Sequence, residues 1–287
     1  MLLTEDIYMN IRHMKDKILI ISLVLFPMTA FAQKMPEDWL DEGNNYYHEK
    51  KYDDAFRCYK YIVDNHPRNE IFPMACYNIG RVYSAEKNYD SAIIVFKSIL
   101  ENSFNDSLYV GGSIMSNPYA NFSFYSCIDI AELYYKMGEY EKSLGYFTLA
   151  DTSKLLVSYC GNEIAEYNNY LAFNRARCYL MLDEQNAAIK ILTGKIFDDG
   201  MASNKEIIEL LIKTLDENYS KEKIKRILNR VSKNIYTRNN KYYIKLFSVE
   251  LLINDAYRFA FMDKISIDDC QKFLMKNMLF KHYLFDK

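Results

Sequence analysis

Between residues 36 and 198 the apolar positions fall at helix spacing and return in blocks. Gly43, Tyr46, Tyr52, Ala55 and Tyr59 are separated by steps of 3, 6, 3 and 4. The same steps recur as Gly80, Tyr83, Tyr89, Ala92, Phe96 and as Ala131, Tyr134, Tyr140, Ser143, Phe147. A weaker copy runs Ala176, Tyr179, Gln185, Ala188, Leu192. Steps of three and four put side chains on one face of a helix. The step of six bridges a tight turn, as at Lys50-Lys51 or Met137-Gly138-Glu139. Each block is therefore a helical hairpin whose small residues allow close approach and whose aromatics fill the space beside them. One hairpin cannot bury its apolar face alone, so neighbouring hairpins must stack. The pattern predicts an all-α chain, an α-α superhelix of antiparallel helix pairs, with no sheet anywhere.

The spacing of small and aromatic residues resembles the tetratricopeptide repeat family. The first copy carries the resemblance furthest: Trp39 lies four residues before Gly43, and Pro67 closes the second helix. Four copies cover 36–198, a little over half the chain. The resemblance implies a solenoid and, by analogy, a protein-binding role, since this motif marks a fold more than an activity. Successive small positions are 37, 51 and 45 residues apart, against a family period of about 34, so extra residues lie between hairpins. The longest insertion, 103–121, holds Gly111-Gly112 and Asn117-Pro118 and reads as a loop.

The last third, 203–287, lacks the motif but keeps helical periodicity. Ile207, Leu210, Leu211 and Thr214 share a face, as do Ile224, Ile227, Leu228 and Val231 after Ser220, which is placed to cap. Residues 243–261 read as a long apolar helix, interrupted by Lys245, Glu250, Asp255 and Arg258, which excludes a membrane span. Ser266 is placed to cap a final helix with Asp268 and Asp269 in its first turn. These segments are expected to be degenerate hairpins that close the array.

The start of the chain has another character. Ile18 to Phe26 is an apolar run behind Lys15 and Lys17, followed by Ala30-Phe31-Ala32. Positive start, short apolar middle and small-x-small end form a cleavable export signal. Residues 1–32 are expected to be that signal, with translation starting at Met14 and cleavage between Ala32 and Gln33. The protein is then exported, periplasmic or secreted, with no membrane span after cleavage.

Charge narrows the partners. Lys and Arg number 36 against 38 Asp and Glu, a net charge of −2. That balance and the lack of a long basic run exclude a nucleic-acid binder. Enzyme chemistry finds no foothold either: no phosphate loop, no Gly-x-Ser-x-Gly, no Cys-x-x-Cys and no Cys/His cluster with zinc spacing. No cofactor, metal or catalytic residue is expected. His48, His66 and His282 read as solvated or packed, and Asp53-Asp54 and Asp198-Asp199 as helix-end residues. Six Cys lie at 58, 76, 127, 160, 178 and 270. Cys76 and Cys127 occupy equivalent sites of neighbouring hairpins, too far apart for a bridge, so the cysteines read as small buried hydrophobes.

The leading functional reading is a non-enzymatic scaffold or adaptor of the bacterial cell envelope, binding another protein or peptide segment. The alternatives are a glycan-binding helical-repeat protein and a periplasmic immunity or inhibitor protein. The family resemblance implies that first helices line a concave groove. Here that groove would comprise Asn44, Tyr47 and His48; Tyr77, Asn78 and Arg81; Asp129, Glu132 and Tyr135; and Asn174 and Arg177. Some family members hold a partner's C-terminal carboxylate with Lys, Asn and Arg. Asn44 and Asn78 match two of those places, but Leu40 replaces a Lys, and Tyr125 and Asp129 stand where cations are needed. The clamp is therefore rejected and the groove kept.

Overall fold

The computed structural model describes residues 34–102, 104–111, 117–153, 155–197, 202–253 and 265–285. The predicted export signal and its cleavage site lie outside these residues, as do Asp198 and Asp199. The chain divides into two compact units, Met1–Ile71 and Phe72–Lys287.

Among the described residues the first unit holds one hairpin, α1 (Pro36–His48) and α2 (Tyr52–Asn65). Its close approach is set by Gly43. A Cβ there would sit 2.6 Å from Tyr59 Cε1 and 3.1 Å from Cys58 Cβ. Trp39 stacks on Tyr61 with ring centroids 4.4 Å apart. Asp53 and Asp54 occupy the first turn of α2, where the helix dipole favours acids.

The second unit repeats the device three times, in α3 (Phe72–Ala85) with α4 (Tyr89–Asn102), α5 (Phe122–Lys136) with α6 (Tyr140–Thr152), and α7 (Gly161–Met181) with α8 (Gln185–Thr193). A Cβ on Gly80 would lie 2.6 Å from Phe96 Cε1. Ala131 and Phe147 are buried in the third hairpin of the chain, and Ala176 and Leu192 in the fourth. Ala55, Ala92, Ser143 and Ala188, the small residues of the second helices, are fully buried. Ser143 Oγ donates to Ala131 O at 2.7 Å, replacing apolar contact by a bond across the hairpin. Tyr134 is buried, while Tyr46, Tyr83 and Tyr179 are half-buried.

The turns share one geometry. Lys50, Lys87, Gly138 and Asp183 all have positive φ, at 60°, 63°, 79° and 58°. Each lies seven residues after its hairpin's small position. The next residue's N–H returns to the carbonyl of Tyr46, Tyr83, Tyr134 or Tyr179. This left-handed closure satisfies helix-end carbonyls. Glycine fills the position once, and the other hairpins bear the cost of a side chain there.

The insertion after α4 packs more closely than its composition predicts. Val110 N–H bonds Pro118 O and Ala120 N–H bonds Leu108 O, both at 2.9 Å. Asn121, itself at φ 49°, accepts from Val157 N–H at 2.6 Å and donates to Val157 O at 3.1 Å. Phe104 and Leu108 pack against the core formed by Phe96, Phe122 and Ile130.

The C-terminal part corrects the sequence reading. After α9 (Lys205–Asn218) and α10 (Lys221–Lys233) come three strands, β1 (Tyr236–Arg238), β2 (Lys241–Leu246) and β3 (Val249–Leu252), then α11 (Ile267–Lys276) and α12 (Met278–Leu284). The strands form an antiparallel meander in the order β1-β2-β3. The expectation of no sheet, and of a helix beginning at Tyr243, therefore fails; the later part of 243–261 lies outside the described residues. The physical reason is alternation. Ile244 and Leu246 point inward and are fully buried, with Leu251 and Ile253 buried beside them, while Lys245 and Glu250 face out. That is period two, not 3.6. Two-residue turns close the meander at Asn239-Asn240, φ 49° and 59°, and Phe247-Ser248, φ 45° and 67°; paired positive φ suits the twist of hairpin strands. The sheet packs into one core with Leu211, Leu228, Leu274 and Phe280. Each fully buried Ile or Leu contributes about 1.5–3 kcal/mol of apolar burial. Both expected caps form: Ser220 accepts from Lys223 N–H, and Ser266 builds a capping box with Asp269.

Candidate functional site

The predicted groove residues fall into two sets. Asn44, Tyr47 and His48 lie on α1 in the first unit. Asn44 Oδ1 accepts from Tyr59 Oη at 2.9 Å, Tyr47 packs its ring against Tyr52, and His48 is exposed. The other eight lie on α3, α5 and α7 in the second unit, where a connected polar face runs across the three first helices.

The face repeats. Two residues before and one after the small position, α3 places Asn78 and Arg81, and α7 places Asn174 and Arg177. In both, the arginine Nη1 donates to the asparagine Oδ1, at 3.3 Å and 2.9 Å. Asn78 and Asn174 are buried. The same places on α5 hold Asp129 and Glu132, so the face alternates cation, anion, cation. Tyrosines from either side engage the acids. Tyr77 Oη donates to Asp129 Oδ2 at 2.6 Å, and Tyr170 Oη donates to Glu132 Oε1. Tyr125 and Tyr167 join their hydroxyls at 3.1 Å.

These contacts set the electrostatics. Burial raises the Asp129 carboxyl to about 6; the Tyr77 hydroxyl opposes that shift and the charge of Glu132 adds to it. Burial, then Asp129, pushes the Tyr77 phenol well above its usual range. Tyr170 is raised by burial and by Glu132. The tyrosines are thus neutral donors that hold the acids in place.

At the far end of the face, Arg177 stacks on Tyr135, with its guanidinium carbon 4.4 Å from the ring centroid. The pair lines a cleft of about 440 Å³ shared with Leu180, Leu210, Lys213 and Glu217. Sequence reasoning missed the α9 side of this cleft and the tyrosine partners Tyr167 and Tyr170, and named Tyr125 only as standing where a cation was needed. Tyr170 lies six residues before Ala176, more than one turn from that site. Its match to Tyr125, six before Ala131, was the available signal.

Among the described residues no group of three or more His, Cys, Asp or Glu is gathered to hold a metal. No described helix is long and apolar enough to cross a membrane. All six cysteines are free; Cys58, Cys127, Cys178 and Cys270 are buried, Cys76 is half-buried, and Cys160 departs from the expectation by being exposed. Burial lifts the Cys127 thiol to about 12 and those of Cys76 and Cys270 to about 11.

The tetratricopeptide repeat family profile matches residues 75–106, the hairpin of α3 and α4. Over that hairpin the chain matches a tetratricopeptide repeat. Among solved structures, a tetratricopeptide repeat protein from Parabacteroides merdae ATCC 43184 aligns at 17% identity and TM-score 0.46. That alignment covers 68% of this chain and 64% of that one, short of two thirds of its length. The TPR2AB-domain:pHSP90 complex of yeast Sti1 aligns at 15% identity and TM-score 0.34, covering 68% of this chain and 76% of that one. No curated protein matches the chain. The tetratricopeptide fold supports a protein-interaction scaffold.

Proposed function

We propose that this tetratricopeptide protein is an exported, non-enzymatic adaptor of the bacterial cell envelope that binds a segment of another protein along the α3–α5–α7 face. The observation that carries the reading is the Tyr135–Arg177 stack lining the 440 Å³ cleft. Tyrosine and arginine are the residue types that dominate interface energetics, above all where they line a pocket. Here the stack pre-organises both side chains, so less entropy is lost on binding. The face offers both signs, Arg81 and Arg177 beside Asp129 and Glu132, and Lys213 beside Glu217. A segment with an aromatic or aliphatic anchor and mixed charges fits it better than a polyanion.

A photo-crosslinking amino acid tests the site while the partner is still unidentified. Placed at Tyr135 or Lys213, it should trap a discrete protein from an envelope extract. Placed at Ile94, which is 68% exposed on α4, it should not. Equal capture from Ile94, or capture from Ile94 alone, would remove the face from consideration. Export rests on the Lys15-to-Ala32 pattern, and sequencing the N-terminus of the exported form should read from Gln33. Retention of residues before 30 would overturn that part.

A further inference from the structure

We propose that a second cleft, between α6, α7 and α8, binds a small organic anion: a carboxylate or phosphate carried on an apolar body. The cleft holds about 510 Å³, within the range that accommodates small ligands. Three cations line it: Arg175 from α7, Lys190 from α8 and Lys195 just beyond α8. One carboxylate, Asp151 of α6, lines it too and pairs with Arg175 Nη1. Three positive charges against one leave a net excess of two. Asp151 holds the Arg175 guanidinium through Nη1 and so orients it in the cleft wall. An oxyanion supplies the compensating negative charge, and guanidinium geometry suits carboxylate and phosphate alike. Ala172, Ala187, Ile191 and Val249 give the wall an apolar part beside Asn168 and Tyr179, which calls for an apolar body behind the charged head.

This cleft is separate from the partner face. On α7, at about 100° per residue, Arg175, Ala172 and Tyr179 lie roughly 165° around the helix from Tyr170, Asn174 and Arg177. The two sites therefore use opposite sides of one helix.

Calorimetry on the full chain tests the proposal with phenyl phosphate and inorganic phosphate as probes. Phenyl phosphate should bind saturably, at least about tenfold tighter than inorganic phosphate, because only it fills the apolar wall. Lys190→Gln with Lys195→Gln should weaken it by at least about tenfold. Lys190 is exposed and Lys195 half-buried, so this variant should fold. Arg175→Lys keeps the charge and loses the planar guanidinium, and it should also weaken binding, with circular dichroism checking the fold. Arg177→Ala should leave binding unchanged. Absence of saturable binding at millimolar phenyl phosphate, indifference to the double lysine change, or loss in Arg177→Ala alone would each overturn the assignment.

Discussion

Gly80→Ala adds a single carbon where the hairpin has no space for one. The new Cβ would sit 2.6 Å from Phe96 Cε1 and 2.9 Å from Cζ, about 1 Å inside the optimal carbon–carbon separation. Phe96 is fully buried, and its ring lies 5.4 Å from that of Tyr77, which is itself held by Asp129. The ring has little room to retreat, and any retreat presses on the partner face. Overpacking of this kind costs about 1–3 kcal/mol. Replacing a mid-helix glycine by alanine returns up to about 1 kcal/mol. The net expectation is a loss of up to about 2 kcal/mol, read as a fall in Tm of about 2–4 °C per kcal/mol for a chain of this size. Phe96→Leu supplies the control. In that background Gly80→Ala should cost less or become favourable, giving a coupling energy of the sign expected for direct contact. A gain in stability from Gly80→Ala in the parent chain, at the size of the helix-propensity term, would refute the claim that this glycine exists to admit the Phe96 ring.

The remaining expectations concern the face and its frame. Asp129 has a folded-state pKa of about 6, above the ordinary 3.8. The folded state therefore holds the proton more tightly, and this group's contribution is fully present below pH 3.8 and lost as pH rises through 6. Asp129→Asn, which can still accept from Tyr77, should flatten the fall in urea midpoint between those limits; an unchanged slope would exclude Asp129 as its source. Ser143→Ala should cost about 1 kcal/mol by removing the bond to Ala131 O, and an unaltered melting curve would show that bond to be without net value.

The hairpins were legible because each position was stated several times over. A small residue facing an aromatic at Gly43 and Tyr59 is one coincidence; repeated at Gly80 with Phe96 and at Ala131 with Phe147, it is a packing rule. The turns were less legible. Glycine marks the left-handed position only at 138, and Lys50, Lys87 and Asp183 give no compositional sign of it. Apolar content alone hides the sheet at residues 236–252, whereas period reveals it. The alternation of Tyr242, Ile244 and Leu246 around Lys245 is a strand signal, and the Asn239-Asn240 pair suits a hairpin turn. Phe247-Ser248 was not readable as the second turn, since phenylalanine seldom adopts positive φ. At the site, local spacing shows which face the first helices share. It does not show that Glu132 is met by Tyr170 or that α9 completes the cleft, because neither contact follows from neighbours in the chain.

Whether binding energy concentrates on the α3–α5–α7 face is decided by calorimetric titration. The partner identified by crosslinking is titrated into the wild-type chain and into Arg81→Ala with Tyr135→Ala. The double variant should bind more weakly by at least about 2 kcal/mol, with its circular dichroism spectrum unchanged. Wild-type affinity in the double variant, combined with loss of binding when the 103–121 segment is deleted, would place the interface on the insertion and contradict the assignment to the face.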